Sequence, residues 1–442
     1  MKLIETIRNI FKIEDLKSRI ITTIGLVLVY RLGSFIVLPG INPTQLTELK
    51  AQTSQGVMGL LDMFSGGAFS NASVFGLGIM PYISASIVIQ LLGIAVPYFQ
   101  RLQREGESGR RKINQITRYL TVIILLFQSP AYLANLPEVA ISSPGLMFKI
   151  TSIMILTAGT MFVMWLGERI TEKGIGNGIS LIIMIGIIAR LPFAVVAEFV
   201  SRFEEGGGLV MLLIEIVVLF FVFAGTILLV QGTRRIPVQY AKRIVGNKQY
   251  GGVRQYIPLK VNAAGVMPII FAQAIMFVPL TLAGYVGGDS ANNWFTAMFS
   301  DYTGWGYNAV FAFLIIAFTY FYTAITINPT QMAEDMKRNG GFIPGVKPGK
   351  KTIEFLDSVM SKITLPGSVF LAIVAILPAF ASMAGVDRMF AQFYGGTSLL
   401  ILVGVVLDTL QQIESHLLMR HYDGLMKSGR IKGRTGGGPA VY

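Results

Sequence analysis

Long apolar runs, separated by short polar stretches rich in glycine, proline or charge, recur along all 442 residues. A helix that crosses a hydrocarbon core needs about 20 predominantly apolar residues, with about 17–25 tolerated. Ten windows meet that length: residues 20–38, 72–92, 119–136, 148–167, 175–197, 209–231, 262–284, 307–327, 365–384 and 395–417. None alternates apolar with polar positions as a barrel strand would, and inside a bilayer each backbone N–H and C=O must find a partner within the protein. The pattern therefore predicts an all-α, polytopic membrane protein with ten transmembrane helices.

Composition agrees, with 53% hydrophobic and only 14% charged residues and no cysteine, which removes disulfides and thiolate metal sites. The +13 net charge would suggest nucleic acid in a soluble protein. Its distribution argues for topology instead: 31 of the 37 Lys and Arg residues fall in 1–19, 97–118, 168–174, 232–261, 328–364 and 418–442, the segments on one side of a ten-span chain. Basic loops stay on the cytoplasmic side, so both termini are expected there. Residues 1–19 are basic and amphipathic and lack the apolar core and cleavage site of a signal peptide. The segments 232–261 and 328–364 are longer than connections require and invite a docking partner.

Glu204–Gly208, EEGGG, divides the chain into residues 1–203 and 209–417, followed by a basic tail, 418–442. Five spans is an odd number, so the halves are inverted relative to each other, an arrangement that puts a transported substrate between them. Catalytic motifs are missing. GVKPGKKT at 345–352 fails as a phosphate loop because Pro344 stands where its first glycine belongs and Lys351 where Ser or Thr would hold magnesium. GIGNG at 174–178 lacks the third glycine of a dinucleotide fingerprint. His416 and His421 lack acids at ligand spacing, so no metal is expected. Arg31, Arg190, Glu215 and Asp408 lie within about two turns of span ends and are expected to snorkel to water. A midplane carboxylate chain is missing, which disfavours a small-solute transporter; a scaffold or insertase without a through-pore stays open.

The window at 72–92 carries Gly76, Gly78, Pro81, Ser84, Ser86 and Gln90 and reads as a helix facing protein or water. Ile79 and Ile83 stack four apart there, as Ile179 and Ile183 do in the fifth span. Ahead of it stands GVMGLLDMFSGGAFS, residues 56–70, too short to cross a bilayer. With that segment, the motifs EGESGRRKINQITRY, MWLGERITEKGIGNGIS, YAKR, LKVNAAGVMP, GGFIPGVKPGK and GGTSLLI resemble, in order and spacing across the chain, the SecY family of bacterial protein-conducting channels.

That resemblance implies a clamshell of two inverted five-helix halves, hinged at 204–208, around an hourglass pore. Residues 56–70 would be its plug. Leu60, Leu61, Met63 and Phe64 would offer modest apolar area, Asp62 would sit in a wet funnel, Gly66 and Gly67 would form a hinge, and the whole would be held weakly. The constriction ring maps onto Ile79, Ile83, Ile179, Ile183, Ile270 and Ile401, stiff apolar side chains that close around any peptide without selecting a sequence. A lateral gate between spans two and seven would carry Gln90 and Asn262, whose interhelical hydrogen bonds are worth only about 0.6 kcal/mol. Arg234, Arg235, Lys242, Arg243 and Lys248 in one loop, and Lys347, Lys350 and Lys351 in the other, would receive a motor ATPase or ribosomal RNA. Lys347 replaces the arginine frequent in the family, supplying charge without a bidentate fork, and Asn247 interrupts a basic pair. The resemblance further implies SecE and SecG subunits, the SecA motor, the ribosome, signal-bearing precursor polypeptides, YidC and SecDF as accessory factors, surrounding lipid, no cofactor and a bacterial cytoplasmic membrane.

Overall fold

The computed structural model describes residues 13–46, 57–134, 136–141, 145–204, 208–240, 243–245, 248–250, 254–286 and 303–427. Residues 1–12, the linker centre 205–207, Lys242, Asn247 and the tail from 428 lie outside the described residues, as do the side chains of Leu60, Leu61, Arg243 and Lys248.

Helices fall in all ten predicted windows: α1 (Glu14–Gly33), then, after the short α2 (Val57–Phe64), α3 (Met80–Ala95) with its continuation α4 (Pro97–Arg104), α5 (Glu107–Ala134), α6 (Leu146–Lys173), α7 (Gly178–Glu204) and α8 (Gly208–Gln231). The second half adds α9 (Met267–Val286), α10 (Trp305–Thr326), the short α11 (Pro329–Arg338), α12 (Lys350–Met383), the single turn α13 (Arg388–Ala391) and α14 (Gly396–Lys427). Among the described residues, seven of these helices are by themselves long and apolar enough to span a membrane.

The second window changes most. Residues 72–79 form turns instead of helix, and α3 starts at Met80 with Pro81 in its first turn, where the missing N–H costs nothing. Ala72 and Gly78 both take positive φ, so the glycines and serine of this stretch make a compact knot beside the segment that precedes it. GIGNG is a tight corner between α6 and α7. A Cβ on Gly178 would lie 2.0 Å from the Gly167 carbonyl oxygen, so a glycine is needed for the two helices to approach. The Gly176 N–H reaches Gln412 of α14 at 2.8 Å.

Outside the apolar helices, β1 (Thr233–Tyr240) lies between the antiparallel strands β4 (Arg254–Lys260) and β5 (Gly341–Phe342), while β2 (Arg243–Val245) and β3 (Lys248–Tyr250) form a separate hairpin. Register runs from Thr233 opposite Lys260 to Gln239 opposite Arg254, and Gln239 also faces Phe342. The two long basic segments are thus one unit. Ile236, Val238 and Leu259 pack on Ala333, Met336, Ile343, Leu356 and Met360, while Arg234 and Arg235 point to solvent.

One apolar cluster belongs to the first half (Leu38, Phe69, Tyr132, Leu156) and another to the second (Ile269, Phe311, Leu371, Leu400). A third joins them, drawing on α1, α2, α6, α7 and α14. Beside the linker the halves are also tied by charge. Arg202 of α7 donates to Glu198 at 2.7 Å, to Glu215 of α8, and to the Gly385 carbonyl at 2.8 Å, while Glu198 accepts from the Asp387 N–H at 2.7 Å. Glu198 and Glu215 are 1% and 4% exposed, so Glu215 is neutralised inside the protein and does not snorkel. Removing the cation from a buried cluster strands its carboxylates and costs about 3–5 kcal/mol. R202A is expected to lower the thermal unfolding midpoint of the detergent-solubilised protein markedly; an unchanged midpoint would show that the cluster does not join the halves.

Candidate functional site

The six isoleucines come from four helices and meet in one place. Ile79 caps α3 and Ile83 lies one turn on, with the Ile83 N–H bonded to the Ile79 carbonyl at 3.1 Å. Ile179 and Ile183 come from the first turns of α7, Ile270 from the first turn of α9 and Ile401 from α14. Ile79, Ile183 and Ile401 are buried at 3–4% exposure, and Ile83, Ile179 and Ile270 pack against them half-buried. The same cluster contains Met63 and Phe64 from the end of α2. Phe64, Ile83, Ile183, Ile270 and Ile401 line a small cavity with Gln273 beside it. One apolar seat therefore holds the six isoleucines and the tip of the 56–70 segment.

The chemistry on the other side of that segment is polar. Asp62 is 6% exposed, so the expected wet funnel is replaced by protein partners: its carboxylate accepts the Ser70 N–H at 2.8 Å and pairs with Arg190 of α7. Arg190 also donates to Ser70 Oγ at 2.8 Å. From α1, Arg31 donates to the Gly66 carbonyl at 2.9 Å and the Tyr30 hydroxyl to the Ser65 carbonyl at 3.1 Å. Ser398 of α14 reaches the Met63 sulfur at 3.0 Å. The segment is held by charge-assisted bonds as well as by apolar contact, which is more than the weak grip expected. Arg31 and Arg190 do not snorkel, because a buried carboxylate and the Gly66 carbonyl just past the end of α2 offer them partners nearer than water. Asp408 remains exposed.

Gly66 and Gly67 adopt φ of +63° and +91°, which side-chain-bearing residues resist. They also lie against α7, since a Cβ on Gly66 would fall 2.8 Å from the Gly186 Cα.

Gln90 and Asn262 are not brought together. Gln90 donates to Ser86 one turn back along α3 at 3.3 Å, and Asn262 to the Gly265 carbonyl at 3.1 Å, with its own side-chain oxygen buried and unpaired. α3 and α5 nevertheless both touch α9 along this seam. Lys347 and Lys350 are exposed; Lys351 is exposed and paired with Glu354 at 2.9 Å. Among the described residues, no group of three or more His, Cys, Asp or Glu could hold a metal ion.

Tyr30, Arg31, Ser70, Gly186 and Arg190 join the site although periodicity does not point to them. The available signal was electrostatic: one acid in an apolar segment requires a cation, and two arginines stood in apolar windows.

The sequence profile of the SecY family matches residues 73–410. The protein translocase subunit SecY of Escherichia coli (strain K12) is 43% identical over 429 residues, covering 95% of this chain and 96% of that protein. A solved protein-conducting channel superposes with a TM-score of 0.64 at 18% identity, covering 90% of this chain and 92% of that one. Sec61 in a canine ribosome–channel complex from the endoplasmic reticulum does so with a TM-score of 0.60 at 16% identity and the same coverage. The fold is their ten-helix clamshell of two inverted five-helix halves. On a profile match across most of its length and a relative this similar end to end, the chain belongs to the SecY family.

Proposed function

We propose that this chain is the channel-forming subunit of a protein translocase, passing unfolded polypeptides across a membrane between its two five-helix halves and releasing apolar segments sideways between α3 and α9. The observation that carries this reading is the convergence of Ile79, Ile83, Ile179, Ile183, Ile270 and Ile401 from both halves around Phe64 and Met63 of the 56–70 segment. An apolar collar filled by an apolar tip is a closed constriction. Its side chains bond to no one sequence, so any extended peptide that displaces the tip meets the same greasy contact. Family membership supports the same reading, and the tip then serves as the plug.

The chain supplies no chemical drive of its own in this reading. Movement comes from a SecA-type ATPase, from the ribosome or from the membrane potential, with SecE- and SecG-type subunits alongside, in a bacterial cytoplasmic membrane with both termini in the cytoplasm. The ribosome-bound relative supports the ribosome as partner. The docking surface is the joined β-sheet unit, where Arg234 and Arg235 on β1, Lys347 before α12 and Lys350 at its first position all face solvent. Arg243 and Lys248 belong to the neighbouring hairpin, and Lys242 to the same segment. Gln90 and Asn262 are each bonded locally, so parting this seam breaks no hydrogen bond between them.

Because the chain has no cysteine, I79C and I401C are clean probes. Each is expected to crosslink to a secretory precursor stalled halfway through; protection by a small solute with no precursor adduct would overturn the reading in favour of a solute transporter. Replacing Ile79, Ile83 and Ile179 together with serine makes the collar wettable and is expected to raise resting ion conductance in planar bilayers, whereas unchanged conductance would remove the collar assignment. Reversing charge with K347E and K350E is expected to stop motor-dependent export while the complex still assembles. Normal export by that variant would eliminate the docking surface.

A further inference from the structure

We propose that residence of the plug is set by a two-arginine clamp, Arg190 and Arg31, closing on the Asp62 carboxylate and the Gly66 carbonyl. The proposal rests on the reading of residues 56–70 as the plug and adds what holds it. Asp62 is the one charged residue in that segment. It is buried and engaged by Arg190, which bridges onward to Ser70 and so ties the last turn of α2 to the far end of the segment. Arg31 meets the Gly66 carbonyl just beyond the C-terminal end of α2, the place where a cation is favoured by the helix dipole. Both guanidiniums reach in over glycine: a Cβ on Gly66 would come within 2.6 Å of Arg31 Nη1, and one on Gly67 within 3.3 Å of the Arg190 guanidinium. The glycine pair is therefore a seat for the clamp, beyond any hinge role.

The two kinds of contact on the plug differ in how they can be replaced. A peptide entering the collar offers the isoleucines the same apolar burial that Met63 and Phe64 gave them, so that part of the exchange is close to neutral. Nothing in an arbitrary peptide replaces Asp62. When the plug leaves, Arg190 and Arg31 must be hydrated, so the ionic contact sets a threshold that does not depend on cargo sequence. Loss of one partner from a buried pair leaves the other uncompensated, and the seated state suffers most.

The test measures resting ion flux of the purified membrane complex in planar bilayers for D62N, R190Q, R190K, the double variant D62N/R190Q, and a complex lacking residues 57–64 with and without R190Q. D62N alters the plug alone and leaves every spanning helix unchanged. D62N and R190Q are each expected to raise flux about tenfold or more, the double variant no further than the larger single effect, and R190K much less than R190Q. In the plug-deleted complex, R190Q is expected to change nothing. If the plug-deleted complex leaks while D62N and R190Q stay at the wild-type level, or if the two substitutions add, the clamp is overturned and the plug stands. If the plug-deleted complex is as tight as wild type, the plug reading itself falls.

Discussion

Hydrocarbon solvates neither charges nor backbone amides, and almost every feature of this molecule follows from that constraint. It requires helices wherever the chain crosses the membrane, and it requires each buried charge to find a partner inside the protein. The two clusters that answer the second requirement sit at mechanically important places. Glu198, Arg202 and Glu215 join α7 to α8 and reach the backbone at Gly385 and Asp387, beside the linker between the halves. Asp62, Arg190 and Arg31 hold the 56–70 segment against α1 and α7.

In the proposed channel, the contrast between those ionic ties and the isoleucine cluster is the functional logic of the site. Apolar contact is non-directional and can be exchanged for any other apolar contact of similar area. Ionic contact is specific to its partners. A conduit that must admit every sequence and still stay shut at rest gains from using the first for the passage and the second for the closure.

The surface proposed for docking follows from a different economy. The segments after α8 and after α10 are far apart in sequence, yet β1 pairs with β5 and their apolar residues share one small core. Basic side chains from both segments are thereby held on one rigid body, which a large partner can grip as a unit.

The helical windows were legible because hydropathy over about 20 residues is a local property and hydrocarbon thickness sets its length. Even the stretch 72–79, apolar enough to count as helix, carries its own warning in Gly76 and Gly78, with Pro81 marking where a helix can begin. The isoleucines were locatable because the motifs around them resemble the family's. Read from the loops alone, β1 was not, since Ile236 and Val238 are only two inward positions in a polar stretch. Nor were the partners of the charges: Arg190 finds Ser70 across 120 residues, and Arg202 finds Gly385 across 183. Local composition decides whether a segment enters the membrane, because solvent acts on each segment separately. Which arginine meets which acid is a matter of how distant helices pack, and that information exists only once the chain is folded.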